Sequence, residues 1–226
     1  MKNEIEILIP TYNEEGNIKN TIIELKKNGF KNITILDAQS EDDTVLIAKK
    51  YNCKIIVDKK KKIGFGHSLI NGFKSSKKKY CCIFDGDGSF NPKAINEMII
   101  KIKKGNDFIF GSRYLGGNNS DDDTIITKIG NFFFTQLISL LFNFKTTDAL
   151  FLYTLAETKK FKSLKLKEQD FRICTEILIK ANNIFKCKEV FSKERRRKYG
   201  VSKVNKIQDG IKLLLNILNN YLNTKS

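Results

Sequence analysis

Tyr80-Cys81-Cys82-Ile83-Phe84-Asp85-Gly86-Asp87-Gly88-Ser89 joins a short apolar run to a cluster of aspartates and glycines. The first half reads as a β-strand and the second as the polar turn that ends it. Similar β-rich runs occur at Ile5 to Ile9, Ile33 to Leu36, Lys54 to Val57 and Asp107 to Phe110, with helix-period segments between them. The clearest helix follows the aspartates. Asn91 can cap it, Pro92 suits its first turn, Ile95, Met98, Ile99 and Ile102 share one face, and Gly105 suits a left-handed stop. Ser40 and Asp43 form a candidate capping box for the second helix. Alternating β and α segments predict an α/β fold built on a doubly wound, mainly parallel sheet. In such sheets, ligands bind beyond the carboxyl ends of the strands. Polar residues gather at those ends: Pro10-Thr11-Tyr12-Asn13-Glu14-Glu15, Asp37, Asp85-Gly86-Asp87, and Gly111-Ser112-Arg113-Tyr114.

The 226 residues suit one domain, with no repeat or Pro/Gly-rich linker to divide them. Residues 1–117, which carry these strand ends, form the expected first half and 118–203 the second. An amphipathic C-terminal helix is expected over 204–226. Lys and Arg number 41 against 25 Asp and Glu, a net charge of +16. Such an excess fits polyanionic partners: nucleic acid, an anionic membrane surface, or phosphorylated substrates. It equally fits solvated surface lysines. Five cysteines without a C-x-x-C pair fit reduced thiols in a cytosolic protein rather than a disulfide framework or zinc site. The N-terminus enters a strand pattern without a signal-peptide stretch. The most apolar segment, Ile129 to Phe144, is interrupted by Gly130, Asn131, Thr135, Gln136, Ser139 and Asn143, so no bilayer span is expected. In the last helix Val204, Ile207, Ile211, Leu214, Leu215 and Leu218 form a stripe. That stripe suits core packing, and a basic, apolar-faced terminus is also how interfacial helices look.

Asp85 and Asp87 carry the chemistry. A plain Asp-Gly turn is one reading. An EF-hand is excluded, because Phe90 stands where glycine is required and Asn96 where the bidentate glutamate belongs. Mg²⁺ and Mn²⁺ favour carboxylates together with phosphate oxygens, so the pair suits a metal-bound diphosphate. Gly64, Gly66 and Gly72 do not complete a dinucleotide-binding G-x-G-x-x-G, and His67, the single histidine, receives no catalytic role.

Together these residues resemble the family 2 glycosyltransferases of GT-A fold, particularly the branch of dolichol-phosphate mannosyltransferase and bacterial polyprenyl-phosphate sugar transferases. Ile9 to Glu15 is similar to that family's nucleotide-binding start, Asp37 to Thr44 to its second acidic motif, and Asp85-Gly86-Asp87 to its D-x-D metal motif. Gly111 to Tyr114, Gly116-Gly117, Gly130-Asn131, Asp148, Glu176, Glu189-Val190 and Arg197 to Lys203 follow in family order, so the resemblance covers roughly residues 5–215. Departures are Ala38 and Gln39 in the second motif and Leu152-Tyr153-Thr154 after Asp148.

The resemblance implies base and ribose contacts from Pro10, Tyr12, Glu14 and Asp37, with Asp85 and Gly86 beside the nucleotide. It implies Mg²⁺ or Mn²⁺ on Asp85 and Asp87, and phosphate or acceptor contacts from Arg113, Arg197, Lys203 and Lys128. Asp87 and Arg113 would be catalytic, stabilising the departing diphosphate. The expected reaction is inverting transfer of a hexose from a GDP- or UDP-sugar to a polyprenyl or dolichyl phosphate. An anionic phosphate acceptor needs no general base. A glycan hydroxyl acceptor would need one, and Asp122, Asp170 and Glu176 are the candidates. The resemblance further implies a cytoplasmic protein peripheral on the membrane face, with a separate membrane-anchoring protein as a possible partner. A nucleotidyltransferase would need a glycine- and basic-rich loop after strand one, where Glu14-Glu15 stands instead. A non-catalytic nucleotide-binding protein remains an alternative. Nucleic-acid binding is not expected, because no helix combines a basic face with exposed aromatics.

Overall fold

In the first strand, β1 (Ile5–Thr11), Ile5, Ile7 and Ile9 pack into one buried cluster and Leu8 into another. This period-two division follows from the pleat of a strand covered on both faces. The computed structural model describes residues 1–59, 64–200 and 206–225. The other strands are β2 (Ile33–Asp37), β3 (Lys54–Val57), β4 (Tyr80–Ile83), β5 (Phe108–Ser112), β6 (Thr154–Glu157) and β7 (Cys187–Phe191). The helices are α1 (Glu15–Lys27), α2 (Thr44–Lys50), α3 (Phe65–Ser75), α4 (Ala94–Lys103), α5 (Ile125–Phe142), α6 (Thr158–Ser163), α7 (Ile173–Ile184) and α8 (Lys206–Lys225).

The seven strands form one sheet in the order β3-β2-β1-β4-β6-β5-β7. Pairs β1–β2, β1–β4, β2–β3 and β5–β7 are parallel, whereas β6 runs antiparallel to both β4 and β5. The sheet is therefore mainly parallel, as expected, with one reversed strand that the sequence pattern did not indicate. Because β6 reverses twice over, β5 and β7 point the same way as β4. The carboxyl ends of β1, β2, β4, β5 and β7 consequently share one edge of the sheet. Helices α1, α2 and α4 cover one face; α3, α6, α7 and parts of α5 and α8 cover the other.

Local signals succeed unevenly. Gly105 takes φ +80°, as the stop after α4 requires. Asn91 Oδ1 accepts from Lys93 N at 3.0 Å, ahead of the helix that begins at Ala94. The Ser40/Asp43 capping box does not form. The Ser40 hydroxyl donates to Asp37 Oδ1 instead, at 2.6 Å, and Asp43 makes no side-chain cap bond. Gly64 and Gly66 mark a close approach: a Cβ on either would lie 2.3 Å from a backbone oxygen, of Gln169 or Glu168. His67 sits beside them, its backbone N–H donating to the Gln169 carbonyl. These glycines serve packing between the start of α3 and the 168–170 segment.

Two helices differ from expectation. With its 18 residues α5 is, by length and composition, long and apolar enough to cross a membrane, despite the polar interruptions. Of the interrupting residues Asn131 and Thr135 are buried, together with Ile138, whereas Gln136 is exposed among Ile125, Ile126, Ile129, Phe132, Phe133 and Leu140. The α8 stripe also faces outward. Ile207, Ile211, Leu215, Leu218 and Leu222 are exposed, and Leu213 and Ile217 are the residues that enter the core. Val204 lies outside the described residues.

Candidate active site

Each parallel strand delivers its last residue, and the loop behind it, to the shared edge. From β1 come Pro10, Thr11, Tyr12 and Glu14. Asn13 takes φ +54° between them, which turns the chain sharply before α1. Its backbone N–H donates to Ser40 Oγ at 2.9 Å, tying the loop after β1 to the loop after β2. Asp37, at the end of β2, is buried and accepts from Thr11 Oγ1 (3.2 Å), Ser40 N (2.8 Å) and Ser40 Oγ (2.6 Å). Neutral donors hold this carboxylate at a fixed angle without neutralising it. It is suited to bind hydroxyl groups.

β4 ends in Phe84, and the Asp85–Ser89 turn follows. Asp87 Oδ1 accepts from Ser89 N at 2.8 Å, and Asp85 Oδ1 receives a long 3.4 Å contact from Asp87 N. Gly86 is buried against Thr11 and Ile9, where an added Cβ would lie 3.1 Å from Thr11 Cγ2. The turn thereby presses against β1 and sets both carboxylates near Glu14. Burial, then the neighbouring charge of Asp87, pushes the Asp85 carboxyl up to about 8, and Arg197 only partly offsets this. Three acidic groups, Asp85, Asp87 and Glu14, thus converge on the charge of Arg197. Among the described residues no three His, Cys, Asp or Glu side chains form a complete metal cage. A cation held by Asp85 and Asp87 would therefore complete its shell with oxygens of a bound ligand and water. Mg²⁺ and Mn²⁺ bind in this manner beside phosphates, so the donor set fits a metal–diphosphate.

Among the described residues, Arg197 brings positive charge to this cluster. Its Nε donates to Asp87 Oδ2 at 3.1 Å and one terminal nitrogen donates to Glu14 Oε1 at 2.8 Å. Glu14 is held in turn by Asn17, whose Nδ2 donates to Oε2 at 2.9 Å. Burial opposes the charge on Arg197, but Asp87 and Glu14 outweigh it and raise its pKa. The segment carrying Arg197 leaves β7 at the shared edge and crosses the site. It is pinned by Ser192 N to Ser112 O (2.9 Å), Arg195 N to Ser89 O (2.9 Å), and a two-pronged Arg195–Glu24 pair at 2.9 and 3.0 Å. Arg197 N also donates to Asp122 Oδ1 at 3.3 Å.

Arg113, expected at the diphosphate, is committed elsewhere. Its Nε and one terminal nitrogen clasp Asp148 at 2.7 and 2.8 Å, and the other terminal nitrogen reaches Glu194 at 3.2 Å. The ring of Phe151 lies 5.0 Å from the guanidinium carbon. Burial disfavours its charge, yet Asp148 and Glu194 more than restore it. With its donors spent on buried carboxylates, Arg113 works as a brace between β5, the 148–151 segment and the crossing segment. Glu194, unremarked in the sequence reading, is the partner that links the brace to Arg197. The available signal was its position as a single acid inside the run Lys193 to Lys198.

Other candidates are dispersed. Lys128 is exposed on α5 and donates to Asn119 Oδ1 at 2.7 Å. Lys203 lies outside the described residues. Glu176 is buried and accepts from Lys167 N and Glu168 N while pairing with Lys180, which makes it the anchor of a loop rather than a base. Asp170 pairs with Arg172 at 2.8 Å. Of the three candidate bases, Asp122 is the one the structure brings to the site.

Known proteins resemble this chain in sequence and in fold. Residues 6–165 match the family described as Glycosyl transferase family 2. The chain is 31% identical to an uncharacterised protein of Methanocaldococcus jannaschii, over 96% of this chain and 92% of that one. It is 27% identical to UDP-N-acetylglucosamine–dolichyl-phosphate N-acetylglucosaminyltransferase of Methanococcus voltae, covering 95% and 94% of the two chains. It is 30% identical to dolichol-phosphate mannosyltransferase of Pyrococcus furiosus over 56% of this chain and 38% of that one. Among solved structures, glucosyl-3-phosphoglycerate synthase from Mycobacterium tuberculosis, in complex with Mn²⁺, UDP and glucosyl-3-phosphoglycerate, superposes with a TM-score of 0.76. That likeness covers 96% of this chain and 79% of the other at 14% identity, and concerns the fold. The chain belongs to glycosyl transferase family 2 and is a glycosyltransferase of GT-A fold.

Proposed function

We propose that this glycosyltransferase moves a hexose or its N-acetylated analogue from a UDP- or GDP-sugar to a polyprenyl or dolichyl phosphate, using Mg²⁺ or Mn²⁺ at Asp85 and Asp87. The observation that carries the reading is the convergence of Asp85, Asp87 and Glu14 on one arginine at the mouth of the sheet. The Methanococcus voltae relative, matched over nearly its whole length, is named for a dolichyl-phosphate acceptor and a UDP-sugar donor. The Pyrococcus furiosus relative is named for dolichol phosphate.

When bound, the cation supplies Lewis-acid stabilisation of the leaving diphosphate. The chain's own residues do the rest. Asp37, fixed by Thr11 and Ser40, orients ribose hydroxyls. Arg197, already charged and aimed into the site, adds bidentate donors for phosphate oxygens. Attack by an acceptor phosphate oxygen forms the bond to the anomeric carbon as the bond to the donor's β-phosphate oxygen breaks, which inverts that centre. The acceptor oxygen is anionic near neutral pH, so no side chain has to remove a proton. That agrees with a site in which Asp85 and Asp87 would hold the cation. A glycan hydroxyl acceptor would use Asp122, which stands beside Arg197.

A donor screen tests the reading. UDP- and GDP-sugars are offered with Mn²⁺ to polyprenyl phosphate and, separately, to soluble glycans. Transfer to polyprenyl phosphate is expected. Transfer to glycans alone would overturn the acceptor, and turnover undiminished by EDTA would overturn the metal. The membrane face and a separate anchoring protein belong to the same reading.

A further inference from the structure

The reversal of β6 has a second effect, at the amino-terminal edge of the parallel strands. Antiparallel pairing sets Glu157, at the end of β6, opposite Tyr80, at the start of β4. The segment entering β4, Lys77-Lys78-Lys79, therefore lies beside the chain leaving β6 into α6, which carries Lys159 and Lys162. In a wholly parallel sheet these two segments would sit at opposite edges. Hydrogen bonds pin them together. Thr158 N donates to Lys79 O at 2.9 Å, Thr158 Oγ1 to Lys78 O at 2.7 Å, and Lys162 Nζ to Ser76 O at 3.3 Å. A cavity of about 300 Å³ lies between the segments, lined by these residues and by Glu157.

Five lysines and one carboxylate line this cavity. Lys159 pairs with Glu157 at 3.2 Å, and among the described residues no carboxylate pairs with the other four. Lys78 and Lys162 donate to neutral carbonyls, of Asn3 and Ser76, and Lys79 stands over the Tyr80 ring. The nearby buried Glu6 accepts from Ser76 Oγ but has its own counter-ion, Lys54, at 3.5 Å. Like charges gathered in one concavity repel one another, and its low-dielectric walls concentrate their field on whatever enters. From this we infer that the cavity is an anion site and that its ligand is a short oligophosphate. Three observations choose that class. First, ammonium groups are compact point charges that bind phosphate oxygens without imposing a plane. Second, none of the described residues lining the cavity is aromatic, so a nucleobase would find nothing to stack on. Third, about 300 Å³ is the small end of the range for ligand pockets, which suits a compact anion of several charges. The four residues of β4, roughly 13 Å of strand, separate the cavity from the turn that carries Asp85 and Asp87. The ligand is therefore neither sugar donor nor acceptor, and the inference does not rest on the proposed reaction.

The test is calorimetry of the full chain with sodium tripolyphosphate in EDTA, which keeps the aspartate turn free of metal. One site is expected, weakening as salt is raised. Lys77→Ala, Lys79→Ala and Lys159→Ala together are expected to weaken binding by at least about tenfold. All three side chains are exposed, so the melting temperature without ligand is expected to stay near that of the wild type. Lys19→Ala, Lys49→Ala and Lys50→Ala together remove the same charge from exposed positions on α1 and α2, outside the cavity, and are expected to leave binding nearly unchanged. In the wild type, tripolyphosphate is expected to protect Lys77, Lys79 and Lys159 from chemical acetylation, read by mass spectrometry. Absence of binding, equal losses in the two triple variants, or protection confined to other lysines overturns the proposal. ATP in EDTA is expected to bind no more tightly than tripolyphosphate. ATP that binds about tenfold more tightly overturns the ligand class and assigns the cavity to a nucleotide.

Discussion

Arg197 Nε donates to Asp87 Oδ2 at 3.1 Å, joining two residues 110 positions apart. The segment of Arg197 is tied down on both sides of the contact, by Arg195 to Glu24 and by the Tyr199 carbonyl to Asn17 Nδ2 at 3.1 Å. The arginine therefore acts as counter-charge for the acidic cluster, and the proposed function makes it a donor to the bound nucleotide.

Arg197→Gln separates these two roles. Removing the counter-charge leaves Asp85, Asp87 and Glu14 facing one another, so Mn²⁺ alone should bind about tenfold more tightly, or ~1.4 kcal/mol. Turnover should fall by about 10²-fold or more, because donors to the diphosphate are lost. Calorimetry without nucleotide and steady-state kinetics give the two numbers. Weaker Mn²⁺ binding in the variant would refute the counter-charge role.

Asp87→Asn keeps an acceptor for Ser89 N and removes the charge. Metal-dependent binding of nucleotide-sugar should vanish in calorimetry with GDP- and UDP-sugars, while the melting temperature stays close to wild type. Equal affinity in variant and wild type would remove Asp87 from the metal site.

Asp85 offers a stability test with a definite sign. Its carboxyl is held at about 8 in the folded chain against an ordinary value of 3.8. Between those values the folded state binds the extra proton, so this residue's contribution to stability falls as pH rises and is fully unfavourable above pH 8. In EDTA, Asp85→Asn should raise the melting temperature at high pH by roughly 3–8 °C, and the gain should shrink toward zero near pH 4. A thermal scan at several pH values decides it; an asparagine variant that melts lower at high pH would contradict the assignment.

Arg113→Ala should behave as a stability mutation before a catalytic one. It strands the Asp148 carboxylate, whose side chain is fully buried, at a cost of about 3–5 kcal/mol. Lysine should rescue little, since it cannot reproduce the two-pronged clasp. Urea unfolding of the alanine and lysine variants beside Arg197→Ala is the check. Arg197→Ala, in a more open setting, should lose far less. A stable but inactive Arg113→Ala would return Arg113 to the diphosphate.

Much of the fold was legible in the chain because its signals are local. Strand alternation, the Asp-Gly turns and the stop at Gly105 depend on neighbours within a few positions, and they placed Asp37, Asp85 and Asp87 at strand ends. β6 was not legible. Thr154 to Glu157 is four residues long, and its reversed direction depends on neighbours far away in the chain. The Ser40/Asp43 box failed for a related reason: Asp37 and Asn13 offered Ser40 better partners than the helix end did.

The amino-acid order by itself determined which chemistry is available: paired carboxylates behind an apolar strand, an excess of basic charge, and apolar stripes in the second half of the chain. Tertiary structure decided how each is used. Arg113 and Arg197 are equivalent in one dimension, and only folding gives one of them Asp148 and the other Asp87. The stripes of α5 and α8 have the spacing of core helices, and only packing shows them turned outward. A residue's identity sets the interactions it can make, whereas its partners depend on contacts between segments that the chain brings together from far apart.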